Sequence, residues 1–288
     1  MLSDPFQQRA FLAGGLIALS AGLVGYFVVL RSQVFTGDAL SHVATAGALG
    51  ALAVGVDLRI GLFGCCLAFG LAMAALGRRG RADDVVVGSV FAWILGLGAL
   101  FLTVYTTNHS GGNSSAGVTV LFGSIFGLSA SEALLAEGLA LAVALVLVAL
   151  ARPLLFATLD DAVAAARGVP VRLLGFAFLA LVAVTAGEAT QAVGSLLLLG
   201  LLAAPAGAAH RLTDRPFRAL WLSGAISLGS LWAGLTLAFA VPTLPPSFAI
   251  MSFASGSYLL ALPLSHLRRR PSPPAPGIGP TTPLGSTR

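Results

Sequence analysis

Three ionisable side chains in this sequence sit within or against apolar runs, where a charge must be either functional or partnered. Asp38 and His42 occur in Thr36-Gly37-Asp38-Ala39-Leu40-Ser41-His42. Their i, i+4 spacing puts both on one face of a helix, about one turn apart. A carboxylate and an imidazole so placed supply part of a divalent-metal site, with oxygen and nitrogen donors that suit zinc or manganese. The same pair serves equally as a helix cap with a hydrogen-bonded histidine, or as a proton relay. Glu188, in Gly187-Glu188-Ala189-Thr190-Gln191, closes an apolar run at its outer end. There it is either a further ion contact or an ordinary acid at a membrane surface.

Around the first pair, Ser41 and Thr45 repeat the i, i+4 spacing, and Gly47, Gly50 and Gly55 follow. Such small residues either line a narrow pathway or let neighbouring helices approach closely. Cys65 and Cys66 are adjacent within an apolar run and form no CxxC pattern, so they read as packing residues. His109 lies in a glycine- and asparagine-rich stretch and His266 precedes an arginine run, which makes both surface residues.

The elements that must position these groups follow from composition. Of 288 residues, 57% are hydrophobic and 9% charged, against about 25% charged in an ordinary soluble domain. A water-soluble globular enzyme is excluded. A membrane-spanning helix takes about 20 apolar residues, and the chain holds such segments near 10–30, 38–54, 60–76, 85–107, 133–150, 172–190, 193–209, 218–241 and 247–265, with a weaker stretch at 118–130. The expected fold is all-α, a polytopic membrane helix bundle of eight to nine transmembrane helices. Residues 1–266 form the transmembrane domain. The Pro-, Gly-, Ser- and Thr-rich remainder, 267–288, is a disordered cytoplasmic tail. The run from Phe11 to Leu30 is too long for a signal core and lacks a basic leader, so it reads as the first span.

All sixteen basic residues are arginine. A chain without lysine cannot contain the P-loop whose lysine reaches nucleotide phosphates, so it does not hydrolyse ATP by that route. Nine of the sixteen arginines fall in three connections, Gly77–Asp84, Ala151–Arg172 and His210–Arg218, which alternate with arginine-free ones. The positive-inside rule makes these three cytoplasmic, with the C-terminus. Nine spans then place the N-terminus outside, while Arg9 and Arg31 give no preference. Arginines distributed this way report orientation and imply no nucleic-acid partner.

Between Pro205 and Pro216 one span ends and another begins, with Thr213 or Asp214 as a cap. This basic stretch forms either a short helix presented to a cytosolic partner or a plain loop. Arg211, Arg215 and Arg218 recur there about once per turn.

Taken in order, several segments resemble the permease subunit of bacterial ABC importers for zinc, manganese or iron. They are the Val-Val-Leu-Arg end of the first span with Gly37-Asp38-Ala39-Leu40-Ser41-His42, then Asp83-Asp84-Val85-Val86-Val87-Gly88, Leu121-Phe122-Gly123-Ser124, Arg167-Gly168-Val169-Pro170-Val171, and Gln191-Ala192-Val193-Gly194 leading to Ala204-Pro205-Ala206. The likeness runs from about Phe6 to Leu264. It implies a non-enzymatic transport subunit of the bacterial inner membrane, with no permanently bound cofactor and a divalent metal ion as its cargo. It also implies three kinds of protein partner: a cytosolic ATP-binding subunit, an extracellular or periplasmic metal-binding protein, and a second permease, either another copy of this chain or a related one. By the same likeness Asp38 and His42 contact the ion, with Glu188 a weaker candidate, and His210, Arg211, Leu212, Thr213, Asp214 and Arg215 couple to the ATPase. Glu188, Gly207 and His210 depart from the pattern.

Three other classes compete. A proton-coupled secondary metal transporter would use Asp38 and His42 as carriers. An intramembrane protease lacks support, since HExxH is absent and Ser255-Gly256-Ser257 has no partner motif. A non-transporting scaffold would leave the intramembrane Asp38 and His42 unexplained.

Overall fold

The computed structural model describes residues 5–77, 82–108, 123, 127, 129–195, 198–241 and 243–268. Arg78, Arg79, Arg81, His109, most of the 118–130 stretch, including Leu121, Phe122 and Ser124, and the tail from residue 269 lie outside the described residues, as does the side chain of His266. The helices in order are α1 (Pro5–Leu30), α2 (Val34–Val54), α3 (Leu58–Leu76), α4 (Asp84–Asn108), α5 (Ala130–Leu159), α6 (Asp161–Ala166), α7 (Val171–Val193), α8 (Leu198–Leu212), α9 (Pro216–Ala240) and α10 (Pro246–Arg268). No strand occurs among the described residues.

Local chemistry sets the boundaries. Asp57 caps α3 by accepting from the Arg59 amide at 2.8 Å. Ser129 and Glu132 form a reciprocal capping box at the start of α5. Asp160 caps α6 by accepting from the amides of Ala162 and Val163, both at 2.9 Å. Pro216 occupies the first position of α9, where its missing N–H costs nothing. α2 ends at Gly55 with φ +78°, a left-handed conformation that glycine adopts without steric cost.

Among the described residues seven helices, α1, α3, α4, α5, α7, α9 and α10, are long and apolar enough to cross a membrane. The eight or nine expected from the sequence are thus met in part: α2 contains Asp38 and His42, and α8 has only 15 residues. α1 and α7 are largely buried, whereas α4 turns most of its side chains outward. α1 packs on α5, α7, α8 and α9; α2 packs on α3, α4 and α7; α10 closes on α8 and α9.

In a bilayer the helices gain little from excluding lipid, so close packing must hold them together. Small residues provide it. At the α2–α3 crossing a Cβ on Gly47 would run into the carbonyl oxygen of Gly61, and the reverse also holds. Between α1 and α9, Ser223 Oγ donates to the Gly22 carbonyl at 2.6 Å. Phe27 of α1 meets Phe178 of α7 edge-on with centroids 6.4 Å apart, inside the main apolar core.

Arg31, which gave no preference for orientation in the sequence, is buried. It is 5% exposed, with its guanidinium 5.0 Å over the Phe178 ring. The α1–α2 turn is therefore folded into the bundle, and this arginine carries no information about orientation.

Candidate functional site

Between Thr36 and Leu49 every residue of α2 is buried except Asp38 and His42, which are half-buried. The expected shared face is present, and its two side chains are the ones that remain partly exposed. His42 stands against Phe91 of α4, with rings 5.2 Å apart and nearly perpendicular, and Phe35 meets the same ring at 5.5 Å. The pair therefore lies beside the outermost helix.

The capping role is overturned. α2 begins at Val34 with Gln33 at the N-cap and no side-chain cap hydrogen bond, so Asp38 sits on the helix's second turn. Ser41 and Thr45 are packing groups. Ser41 Oγ donates to the Asp38 carbonyl at 2.7 Å and to the Ser195 carbonyl at 3.2 Å, tying α2 to the α7–α8 connection. Thr45 Oγ1 donates to the Ser41 carbonyl at 3.1 Å. Cys66 Sγ donates to the Leu40 carbonyl at 3.3 Å, and both cysteines are free, as packing residues should be.

Glu188 is not at a surface. α7 runs on to Val193, the carboxylate is 0% exposed, and neither oxygen has a hydrogen-bond partner among the described residues. Its neighbour Gly187 is covered by Leu62 and Phe63 of α3. Among the described residues no three His, Cys, Asp or Glu side chains converge as a metal cluster, so Glu188 does not complete the Asp38–His42 pair within one chain.

The basic stretch is not a separate short helix. His210, Arg211 and Leu212 end α8, Thr213 to Arg215 make the turn, and Pro216 starts α9 at once. The turn is too short for another element. His210 stacks on Tyr26 with centroids 4.6 Å apart, its Nε2 3.2 Å from the Tyr26 carbonyl oxygen. That oxygen only accepts, which assigns the hydrogen to Nε2. Arg211 Nε donates to the Tyr258 hydroxyl at 3.2 Å. The Arg215 amide donates to Thr213 Oγ1 at 3.4 Å, and Asp214 is exposed. These residues line a cavity of about 520 Å³.

Sequence reasoning missed two features. The short helix on the basic side is α6, whose Ala164 is buried against Ala157, Val171 and Leu174 while Val163 stays 44% exposed. Its signal was Asp160-Asp161 followed by Ala-rich sequence up to Gly168, a capped start with a left-handed stop at φ +81°. The second feature is the ion pair between Arg59 and Glu132, which links the first turns of α3 and α5. No spacing rule joins residues so far apart.

A family model described as the ABC 3 transport family matches residues 3–265. The manganese transport system membrane protein MntD of Bacillus subtilis is 31% identical over 249 residues, spanning 82% of this chain and 83% of that one. A probable iron transport system membrane protein of Haemophilus influenzae is 26% identical over 93% of this chain and 97% of its own length. Among solved structures, PsaBC from Streptococcus pneumoniae in complex with Fab matches with a TM-score of 0.77 and 22% identity, covering 90% of this chain and 92% of that one. At that identity the last likeness speaks for the fold alone.

Proposed function

We infer, from the premise that this chain belongs to the ABC 3 transport family, that it is the membrane permease subunit of an ATP-driven importer for a divalent metal ion, manganese, iron or zinc, in a bacterial inner membrane. The observation that carries this reading is the half-open Asp38–His42 stripe on an otherwise buried stretch of α2. An ionised carboxylate facing lipid costs at least about 2.5 kcal/mol, so something polar must cover it. A second copy of the chain does so and doubles the donors, giving two carboxylates and two imidazoles around one ion. Four such ligands suit the borderline divalent metals, with waters filling any remaining positions. Selection among these metals rests on geometry and supply, since the same donors serve all three.

In this arrangement α2 and α8 join the seven apolar helices as membrane-embedded elements, making nine, with the N-terminus outside. Residues 1–266 are the permease domain and 267–288 a cytoplasmic tail. A metal-binding protein delivers the ion from outside, and lipid surrounds the pair. Energy comes from a cytosolic ATP-binding subunit, because a lysine-free chain has no P-loop. That subunit meets two features of the basic side, the His210–Arg215 turn and α6. α6 is the stiffer lever, since it is packed on the ends of both α5 and α7 and presents Val163 outward.

Glu188 supports a second reading, proton-coupled secondary transport, because buried acids without partners are features of proton relays. In the ABC reading Glu188 is an additional oxygen donor for the passing ion. The two are separated by the driving force: uptake into vesicles should follow ATP and survive collapse of the proton gradient.

The direct test uses Mn²⁺ as probe on the assembled permease–ATPase complex. Pulsed electron paramagnetic resonance should detect nitrogen modulation from bound Mn²⁺, lost in His42→Gln, with one ion per permease pair. Unchanged modulation in that variant would remove His42 from the site.

A further inference from the structure

The cavity beside the α8–α9 turn carries chemistry that contact with the metal ion itself does not use. It measures about 520 Å³ and is walled by His210, Arg211, Asp214, Arg215 and Arg218, with Ser265 of α10 on the far side. Three arginines against one aspartate leave an excess of two positive charges in a concave site. Arg211 is already positioned, with its guanidinium 5.3 Å over the Tyr258 ring and its Nε bonded to the Tyr258 hydroxyl. The His210 ring is fixed by its stack on Tyr26. Groups held in place before a ligand arrives lose little entropy on binding it.

Arg215 is the N-cap of α9 and Arg218 lies in its first turn, so the positive end of a 25-residue helix adds to the guanidinium charges. The same first turns also expose apolar aromatics. Phe217 is 46% and Trp221 53% exposed, at i, i+4 on α9, flanking Arg218. Aromatic side chains exposed on a membrane helix settle at headgroup depth. A free aqueous anion would gain nothing from these rings, whereas an amphiphilic one would use both halves of the site.

We propose that this cavity binds the headgroup of an anionic phospholipid, its phosphate held between Arg211, Arg215 and Arg218 and its acyl chains laid along Phe217 and Trp221. The proposal needs only a membrane bundle whose basic loops share the cytoplasmic face, and stands whether or not the cargo is a metal. A lipid so held would anchor to the inner leaflet the same α8–α9 turn that is proposed to meet the ATP-binding subunit.

The test is native mass spectrometry of the full chain in detergent, titrated with phosphatidylglycerol and, in parallel, with phosphatidylcholine. Wild type should retain phosphatidylglycerol in preference to phosphatidylcholine. The Arg215→Gln, Arg218→Gln double variant should bind it about thirty-fold more weakly, equivalent to about 1 kcal/mol for each lost contact near the membrane surface. Arg152→Gln, which removes an exposed arginine of α5 outside the cavity, should bind it as wild type does. If the double variant does not fold, judged by circular dichroism, Arg218→Ala alone replaces it, with about five-fold weakening expected. Equal retention by the folded variant and wild type would overturn the proposal. Displacement by inorganic phosphate would assign the site to a soluble anion instead and would also overturn it.

Discussion

Replacing Glu188 by methionine should make the protein more stable and, in the transport reading, inactive. The carboxylate is 0% exposed and neither oxygen has a hydrogen-bond partner among the described residues. A buried polar group left without a partner costs about 1–3 kcal/mol on mutational scales. Methionine is unbranched, of similar size and free of strongly polar atoms, so it refills the space without a cavity. Glu188→Met is therefore expected to gain about 1–3 kcal/mol. Glu188→Gln keeps an unpartnered polar group and should stay within about 0.5 kcal/mol of wild type. The assay is reversible unfolding of the purified chain in mixed micelles with rising dodecyl sulfate, followed by the fluorescence of its three tryptophans. A methionine variant less stable than wild type by more than about 1 kcal/mol would refute the reasoning, because it would mean that the carboxylate has a partner. Metal uptake is then measured on the same variants. A rise in stability with loss of uptake marks a role in transport, as ion contact or proton carrier, whereas unchanged uptake leaves Glu188 a structural burden alone.

At the α2–α3 crossing, Gly61→Leu should prevent the backbones from meeting at Gly47 and cost at least about 1–3 kcal/mol; the folded yield from membranes checks it, while Gly64→Ala, where a Cβ meets nothing within 4 Å, should be tolerated. Replacing Leu212 and Arg215 together should weaken binding of the ATP-binding subunit, and Val163→Glu on α6 should uncouple ATP hydrolysis from uptake; unchanged binding and unchanged metal-stimulated hydrolysis would place the contact elsewhere. In a background with Cys65 and Cys66 replaced by alanine, single cysteines at Arg167 and Thr213 should resist impermeant thiol reagents applied to intact cells, and labelling of both from outside would invert the topology.

The helices were legible because apolar runs must become helices in a membrane, where each backbone amide needs an internal partner. The pairing of Asp38 with His42 was legible because it is local, fixed by the helical repeat. What escaped depended on tertiary contacts or on exact turn length. Gly187-Glu188 looked like the end of a span, yet nothing there breaks a helix, and α7 continues to Val193. That Arg31 lies over the Phe178 ring depends on a tertiary contact between α1 and α7 that no spacing shows. Of the two alternatives for the stretch near Thr213 the turn is the one present, because Pro216 begins α9 immediately, while the capped Asp160 segment supplies the short helix α6. The partial exposure of Asp38 and His42 could not be read from spacing, since periodicity defines a face without saying what covers it.

The measurement that bears most directly on the central claim is ATP-driven uptake of Mn²⁺ into proteoliposomes containing the assembled permease–ATPase complex, comparing wild type with the Asp38→Asn, His42→Gln double variant. Both substitutions keep the size and polarity of the stripe, so assembly should be intact and the ATP-binding subunit should co-purify in equal amount. The account predicts that uptake by the variant falls to the level seen without ATP. Uptake at the wild-type rate would contradict it.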